Sequence, residues 1–198
     1  MSFEILTALM LFALVSSITP GPNNLMLMNS GATFGIKKTI PHLLGVVFGF
    51  VLMVMLVGMG IMQLFVMYPV GNDILKAVSV AYLLYLSFKI ATSTESPNNE
   101  NANAKPFSFI QGALFQWVNP KAWTMALTAI TIYASSTDLN AVLFVAMVFG
   151  IINLPSISVW VFLGKKIQFL LTSHKRLRAF NMTMALLLVG SLYPVVLP

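Results

Sequence analysis

Two short stretches carry most of the chemistry this chain can offer. The first is Thr19-Pro20-Gly21-Pro22-Asn23-Asn24, which cannot continue an α-helix, because each proline lacks a donor and clashes with the carbonyl four residues back. Those carbonyls belong to Ser16 and Ile18. Thr19 and Gly21 each precede a proline and are pushed toward extended backbone, so the spacing predicts an unwound stretch and a helix restarting near Asn23. The second stretch is Val118-Asn119-Pro120-Lys121, where Asn119 is a favoured N-cap, Pro120 a favoured first helical residue, and the carbonyl of Gln116 is freed.

A helix start presents unpaired N–H groups and about half a positive charge, which suits a carboxylate or another small anion. Lys121 adds a full charge. The freed carbonyls, the amides of Asn23, Asn24 and Asn119, and the faces of Trp117 and Trp123 are places for an ammonium. The substrate-binding set is therefore Pro20, Gly21, Pro22, Asn23 and Asn24 with Gln116, Asn119, Pro120 and Lys121, a receptor for a zwitterion. Trp117, Trp123 and Asn153 are candidates for lining the path. A single proline kink is ordinary in a membrane helix, and a lysine near a helix end can snorkel to the interface. Paired kinks at matching places, with the lysine well inside its span, favour function.

The elements that must position these residues belong in a bilayer. Hydrophobic residues make up 58% of the 198 residues, charged residues only 8%, and the mean hydropathy is +0.89. Breaking the chain at charges and polar clusters leaves six apolar segments: Phe3 to Met28, Leu43 to Met67, Ile74 to Ile90, Phe109 to Tyr133, Ala141 to Leu163 and Ala179 to Val196. Met1 to Glu4 lacks a positive n-region, so the first run reads as a retained span and not a signal peptide. Thr92 to Lys105 has no aromatic or large aliphatic residue and reads as a disordered polar linker. The predicted organisation is a first three-helix repeat at 1–91, a cytoplasmic linker at 92–107 and a second repeat at 108–198.

Threading six spans puts nine of the eleven Lys and Arg on one side, which the positive-inside rule makes cytoplasmic, with both termini periplasmic. Three spans per repeat is an odd number, so the second repeat enters the membrane from the opposite side. Internal similarity agrees: Pro20 pairs with Pro120, Val47-Phe48-Gly49 with Val148-Phe149-Gly150, and Ala81-Tyr82-Leu83-Leu84 with Ala185-Leu186-Leu187-Leu188. The expected fold is all-α, with six transmembrane helices in two inverted repeats whose first and fourth helices are broken at proline motifs. The two broken helices then turn their N-terminal ends toward each other near the midplane.

Other chemistry is poorly supplied. No cysteine occurs, which removes disulfides, thiolate catalysis and thiol relays. His42 and His174 fall in different polar connections, neither with a second histidine or a carboxylate at ligand spacing, so no metal and no cofactor are predicted. The net charge of +6 lies on one membrane face and addresses lipid head groups, not nucleic acid. Gly45, Gly49, Gly58 and Gly60 read as close-packing positions, and Tyr82 and Tyr85 as packing aromatics. An enzyme or redox conduit is disfavoured by the missing thiols and by the lack of carboxylate or histidine clusters in the spans. The alternatives to a carrier are a small-ion transporter or channel, which would want deep acids, and a non-transporting assembly subunit, which would have a filled midplane. The sequence leaves homo-oligomerisation open.

With TPGPNN in the first span, GxxxG from Gly45 to Gly49, AYLLYLSFK from Ala81 to Lys89 and NPK in the fourth span, the chain resembles the LysE/RhtB family of amino-acid exporters along essentially its whole length. It is most similar to the branch exporting neutral amino acids, cysteine-pathway metabolites, threonine or homoserine. The resemblance implies a bacterial inner-membrane exporter of amino acids or related metabolites, driven by the proton gradient through alternating access. It carries Pro20, Gly21, Pro22 and Asn23, and Asn119, Pro120 and Lys121, over as motif residues. Some relatives place an acid within the membrane, whereas here the fifth span has Asn153 and no Asp or Glu lies deep in any span.

Overall fold

The structure is a computed structural model that describes residues 2–68, 70–93, 106–134 and 138–193. Among these residues every regular element is helical: α1 (Phe3–Ile18), α2 (Pro22–Gly58), α3 (Ile61–Met67), α4 (Val70–Ala91), α5 (Phe109–Phe115), a 3-10 turn (Gln116–Val118), α6 (Pro120–Tyr133), α7 (Leu139–Gln168) and α8 (His174–Gly190). Helices α2, α4 and α7 are long and apolar enough to cross a membrane, and α1 is a shorter apolar helix. Large aliphatic and aromatic side chains such as Leu11, Val15, Phe48, Leu52 and Ile151 face outward. A surface this apolar is matched to hydrocarbon rather than to water. Most of the predicted linker, at 94–105, and the end of the predicted sixth span, at 194–196, lie outside the described residues.

The stretch around Lys37, Lys38 and His42, expected as a polar connection, is helical instead. Only Gly35 leaves helical geometry, at φ 76° and ψ 176°. Ser30 Oγ lies 3.2 Å from His42 Nδ1. Twelve residues of straight helix would hold these two about 18 Å apart, so the chain folds back at Gly35 into limbs 22–34 and 36–58. One glycine in a backbone region closed to other residues replaces a loop. The second limb therefore starts early, exposing Lys37 and Lys38 while turning Thr39 and His42 inward, and His42 is fully buried with its ring centroid 5.0 Å from that of Phe107. The second apolar segment also ends sooner than expected: α2 stops at Gly58, and Gly60, at φ 93°, turns the chain into the separate α3.

Glycines let backbones meet, as expected for Gly45 and Gly49. A Cβ on Gly49 would lie 2.5 Å from the Ala113 Cα, and Gly45 abuts Phe109 in the same way, so the second limb of α2 lies directly on α5. Gly31 against Val161 and Gly164 against Met28 bring the first limb onto α7. Helix α1 packs on α7, and α4 on α8. Tyr82 packs at a tilt against Phe115 and Tyr85, with ring centroids 6.0 Å and 6.2 Å away.

The interior divides into two main apolar clusters. One joins Leu9 and Ala13 to Phe50, Ala122, Met125 and Phe149, and the other joins Leu25 and Met26 to Leu83, Phe115, Met184 and Leu188. At the first break the chain leaves the former cluster (Ala13) and enters the latter (Leu25). At the second it leaves the latter (Phe115) and enters the former (Ala122). The two breaks thus cross the seam between the clusters in opposite senses.

Candidate functional site

Gly21 is the N-cap of α2, in extended backbone, and Pro22 is its first residue. Asn119 is the N-cap of α6, with its Oδ1 accepting from the Lys121 backbone N–H at 3.2 Å and Pro120 following it. Both restarts therefore fall at the positions that the prolines dictate.

The carbonyls freed by the prolines each receive one donor from the protein. Ser16 O accepts from Thr19 Oγ1 at 3.0 Å, Ile18 O from Trp160 Nε1 at 3.0 Å, and Gln116 O from the Asn119 N–H at 3.2 Å. Buried backbone acceptors are costly when unpaired, and the fold supplies each with a donor. Asn24 Nδ2 donates to Ser17 O and Thr19 O, both at 2.8 Å, holding the end of α1 against the start of α2.

Two contacts tie the breaks together. Asn23 Nδ2 donates to Gln116 Oε1 at 2.8 Å, and Gln116 Nε2 donates back to Asn23 Oδ1 at 3.1 Å. Gln116 Nε2 also donates to Gly112 O at 2.9 Å, and its side chain is fully buried. The Lys121 ammonium donates to Thr19 O at 2.8 Å, Thr19 Oγ1 at 2.9 Å and Pro20 O at 3.2 Å. It thereby caps the C-terminal, negative end of α1.

Lys121 and Gly21 stand between two hollows. One is a small cavity of about 20 Å³, lined by Ser17, Asn24, Asn119, Asn153 and Lys121 together with Val46, Phe50, Met125 and Ile157. The other, about 370 Å³, is bordered by Pro20, Gly21, Pro22, Pro120, Lys121, Thr124 and Ser191. Asn153 Nδ2 donates to Ser17 Oγ at 2.9 Å, and its Oδ1 is buried with no hydrogen-bond partner among the described residues.

The tryptophans are placed differently from the rest of the set. Trp117 and Trp123 meet edge to face at 5.7 Å, Trp123 Nε1 donates to Trp117 O at 2.9 Å, and neither borders the small cavity. Trp123 lines a separate hollow of about 260 Å³ with Pro120, Asn72 and Lys76. Sequence reasoning missed Ser17, Thr19 and Trp160. Adjacent polar residues just before a proline break were a readable signal for the first two. Trp160 had none, because its partner Ile18 lies 142 residues away.

The model of LysE type translocators matches residues 14–191, a range that contains both breaks and every residue lining the two hollows. The chain belongs to the LysE family of translocators. A cysteine/O-acetylserine efflux protein of Salmonella choleraesuis (strain SC-B67) is 33% identical over 188 residues, covering 93% of this chain and 94% of the relative. The protein of the same description from Escherichia coli (strain K12) is 32% identical over 193 residues, covering 96% of each. That from Shigella flexneri is 32% identical over 189 residues, covering 93% of this chain and 94% of the relative. No solved structure matches the chain. In this LysE-family protein the family motifs and the paired breaks coincide: PGP supplies the start of α2, and NPK the start of α6.

Proposed function

We propose that this protein is a secondary exporter in the bacterial inner membrane, moving small amino acids or their close derivatives out of the cytoplasm by proton-coupled alternating access. The observation that carries the reading is the meeting of two helix breaks around the Lys121 ammonium, which bonds Thr19, 102 residues away in the chain. The relatives described as cysteine/O-acetylserine efflux proteins point to the same substrate class. The breaks cross the seam between the apolar clusters in opposite senses, which supports two inverted three-helix repeats, and the distribution of Lys and Arg supports both termini being periplasmic.

The small cavity, at about 20 Å³, has room for about one water and not for an amino acid, so the site must open to work. The Lys121 ammonium holds it shut by bonding the end of α1. A charge-assisted hydrogen bond contributes about 1.5–3 kcal/mol, and a substrate carboxylate, carrying a full charge, competes for the same ammonium. Carboxylate binding from the cytoplasm draws Lys121 away from Thr19 and Pro20, which unties α1 from α6 and lets the halves rock. The neighbouring starts of α2 and α6 add favourable dipole ends for the same carboxylate.

The test is efflux of radiolabelled O-acetylserine and cysteine from proteoliposomes holding the purified protein, with and without an imposed pH gradient. Efflux above empty liposomes that rises with the gradient is expected. No efflux of any amino acid would overturn the reading, and efflux indifferent to the gradient would remove proton coupling from it. Reporter fusions at the C-terminus that are active in the periplasm are expected, and cytoplasmic activity would reverse the orientation.

A further inference from the structure

Resting on the cavity being an amino-acid site, we infer that Asn153 Oδ1 accepts the ammonium group of the substrate. With Lys121 taking the carboxylate, the two residues restrict the protein to amino acids with a free amine and an uncharged side chain.

A buried acceptor without a donor leads to Asn153. An ammonium brings three donors and no acceptor, so it needs oxygen atoms with acceptor capacity to spare. The carbonyls of Ser16, Ile18 and Gln116 each already have one donor, and Asn23 Oδ1 and Asn119 Oδ1 accept from Gln116 and from the Lys121 backbone. The carbonyls of Thr19 and Pro20, released when Lys121 turns to the carboxylate, and Asn24 on the same wall are secondary acceptors for the remaining N–H groups. Asn153 lies on α7, is 4% exposed and lines the cavity, and its Oδ1 is buried with no partner among the described residues. Its Nδ2 is held by Ser17 Oγ at 2.9 Å, which pins the carboxamide. A buried amide oxygen without a donor opposes folding, and a substrate ammonium would relieve that penalty.

The rest of the lining sets the selectivity. Among the described residues Lys121 is the one charged residue on the cavity wall, and Asn153 contributes a dipole where a carboxylate would contribute a charge. A zwitterion is satisfied at both ends, while a second cation in the side chain meets only repulsion from Lys121. Val46, Phe50, Met125 and Ile157 leave an apolar surface for a short uncharged side chain. A site built to hydrogen-bond a polar group strongly rejects the analogue that lacks it, because its own buried group is then left unpaired.

The experiment uses proteoliposomes of the full chain and compares O-acetylserine, its N-acetyl derivative, which keeps the carboxylate and loses the ammonium, and lysine. Wild-type protein is expected to move the free amine about 100-fold better than the blocked one and to leave lysine untransported. Asn153→Leu should raise the KM for O-acetylserine about 10–100-fold while leaving the weak N-acetyl rate unchanged, and Asn153→Asp should admit lysine. Equal transport of free and blocked amines by wild-type protein would overturn the assignment even if no variant folds. So would an unchanged KM in Asn153→Leu. If wild-type protein moves none of these compounds and no other amino acid, the exporter reading itself fails and this assignment with it.

Discussion

The ammonium of Lys121 lies 2.8 Å from the carbonyl oxygen of Thr19, a residue 102 positions earlier in the chain. A cation from the second break thus closes the end of the helix that precedes the first break. Among the described residues no other charged side chain lines the small cavity, so the contact is where a substrate carboxylate can act on the fold.

Lys121→Ala removes three donors from the end of α1. Efflux of O-acetylserine in proteoliposomes is expected to fall about 100-fold, since the substrate carboxylate loses a charge-assisted hydrogen bond worth about 1.5–3 kcal/mol. Unchanged efflux with unchanged pH dependence would remove Lys121 from both binding and coupling.

Gly21→Ala tests the same contact from the other side. Gly21 has φ −177°, extended backbone open to any residue, so a methyl group costs little there by itself. That methyl would sit 2.8 Å from Lys121 Cδ and displace a flexible side chain. Transport should drop with little change in the thermal midpoint in detergent, and a large loss of stability with intact transport would contradict this.

The Asn23 and Gln116 amides bond each other in both directions. Alanine at position 23 strands the buried Gln116 Oε1, alanine at position 116 leaves the half-buried Asn23 amide unpaired, and the double variant strands neither. A double-mutant cycle read by denaturation in detergent should therefore show a coupling of about 1–3 kcal/mol. Additive losses would mean that the breaks are not held together by this pair.

Gly35→Ala should destabilise by about 1–3 kcal/mol, because φ 76° with ψ 176° is backbone that only glycine readily adopts. Space is not the obstacle: the nearest atom to an added Cβ is Lys165 Nζ at 3.8 Å. Thermal melting checks it, and a neutral result would show that the reversal can be made another way.

Gly112→Ala places a methyl 2.7 Å from the His42 carbonyl oxygen, and backbone cannot step aside as a side chain can. A loss of about 1–3 kcal/mol is expected from overpacking. Gly190→Ala, with nothing within 4 Å, is the matched control and should change stability by less than about 0.5 kcal/mol.

The apolar composition and the local chemistry of proline and asparagine were legible in the residues alone. Proline has no N–H wherever it stands, so helix starts at Pro22 and Pro120, and an Asn119 cap, follow from neighbours within four positions. Motifs with the same local character carried the family resemblance. His42 was misplaced because a stretch holding two lysines and a proline reads as a loop. Its helix and its burial depend on one glycine conformation and on packing against Ser30 and Phe107.

Which acceptors stay open could be decided only by the folded chain. Hydrogen-bond partners such as Trp160 for Ile18, Gln116 for Asn23 and Lys121 for Thr19 lie 93 to 142 residues apart, and a one-dimensional pattern holds no distance between them. Local covalent geometry determined where the helices had to break. Tertiary packing decided that the carbonyls of Ile18, Thr19 and Pro20 would find donors from across the molecule, and that Asn153, whose oxygen has no partner among the described residues, would line one cavity together with Lys121.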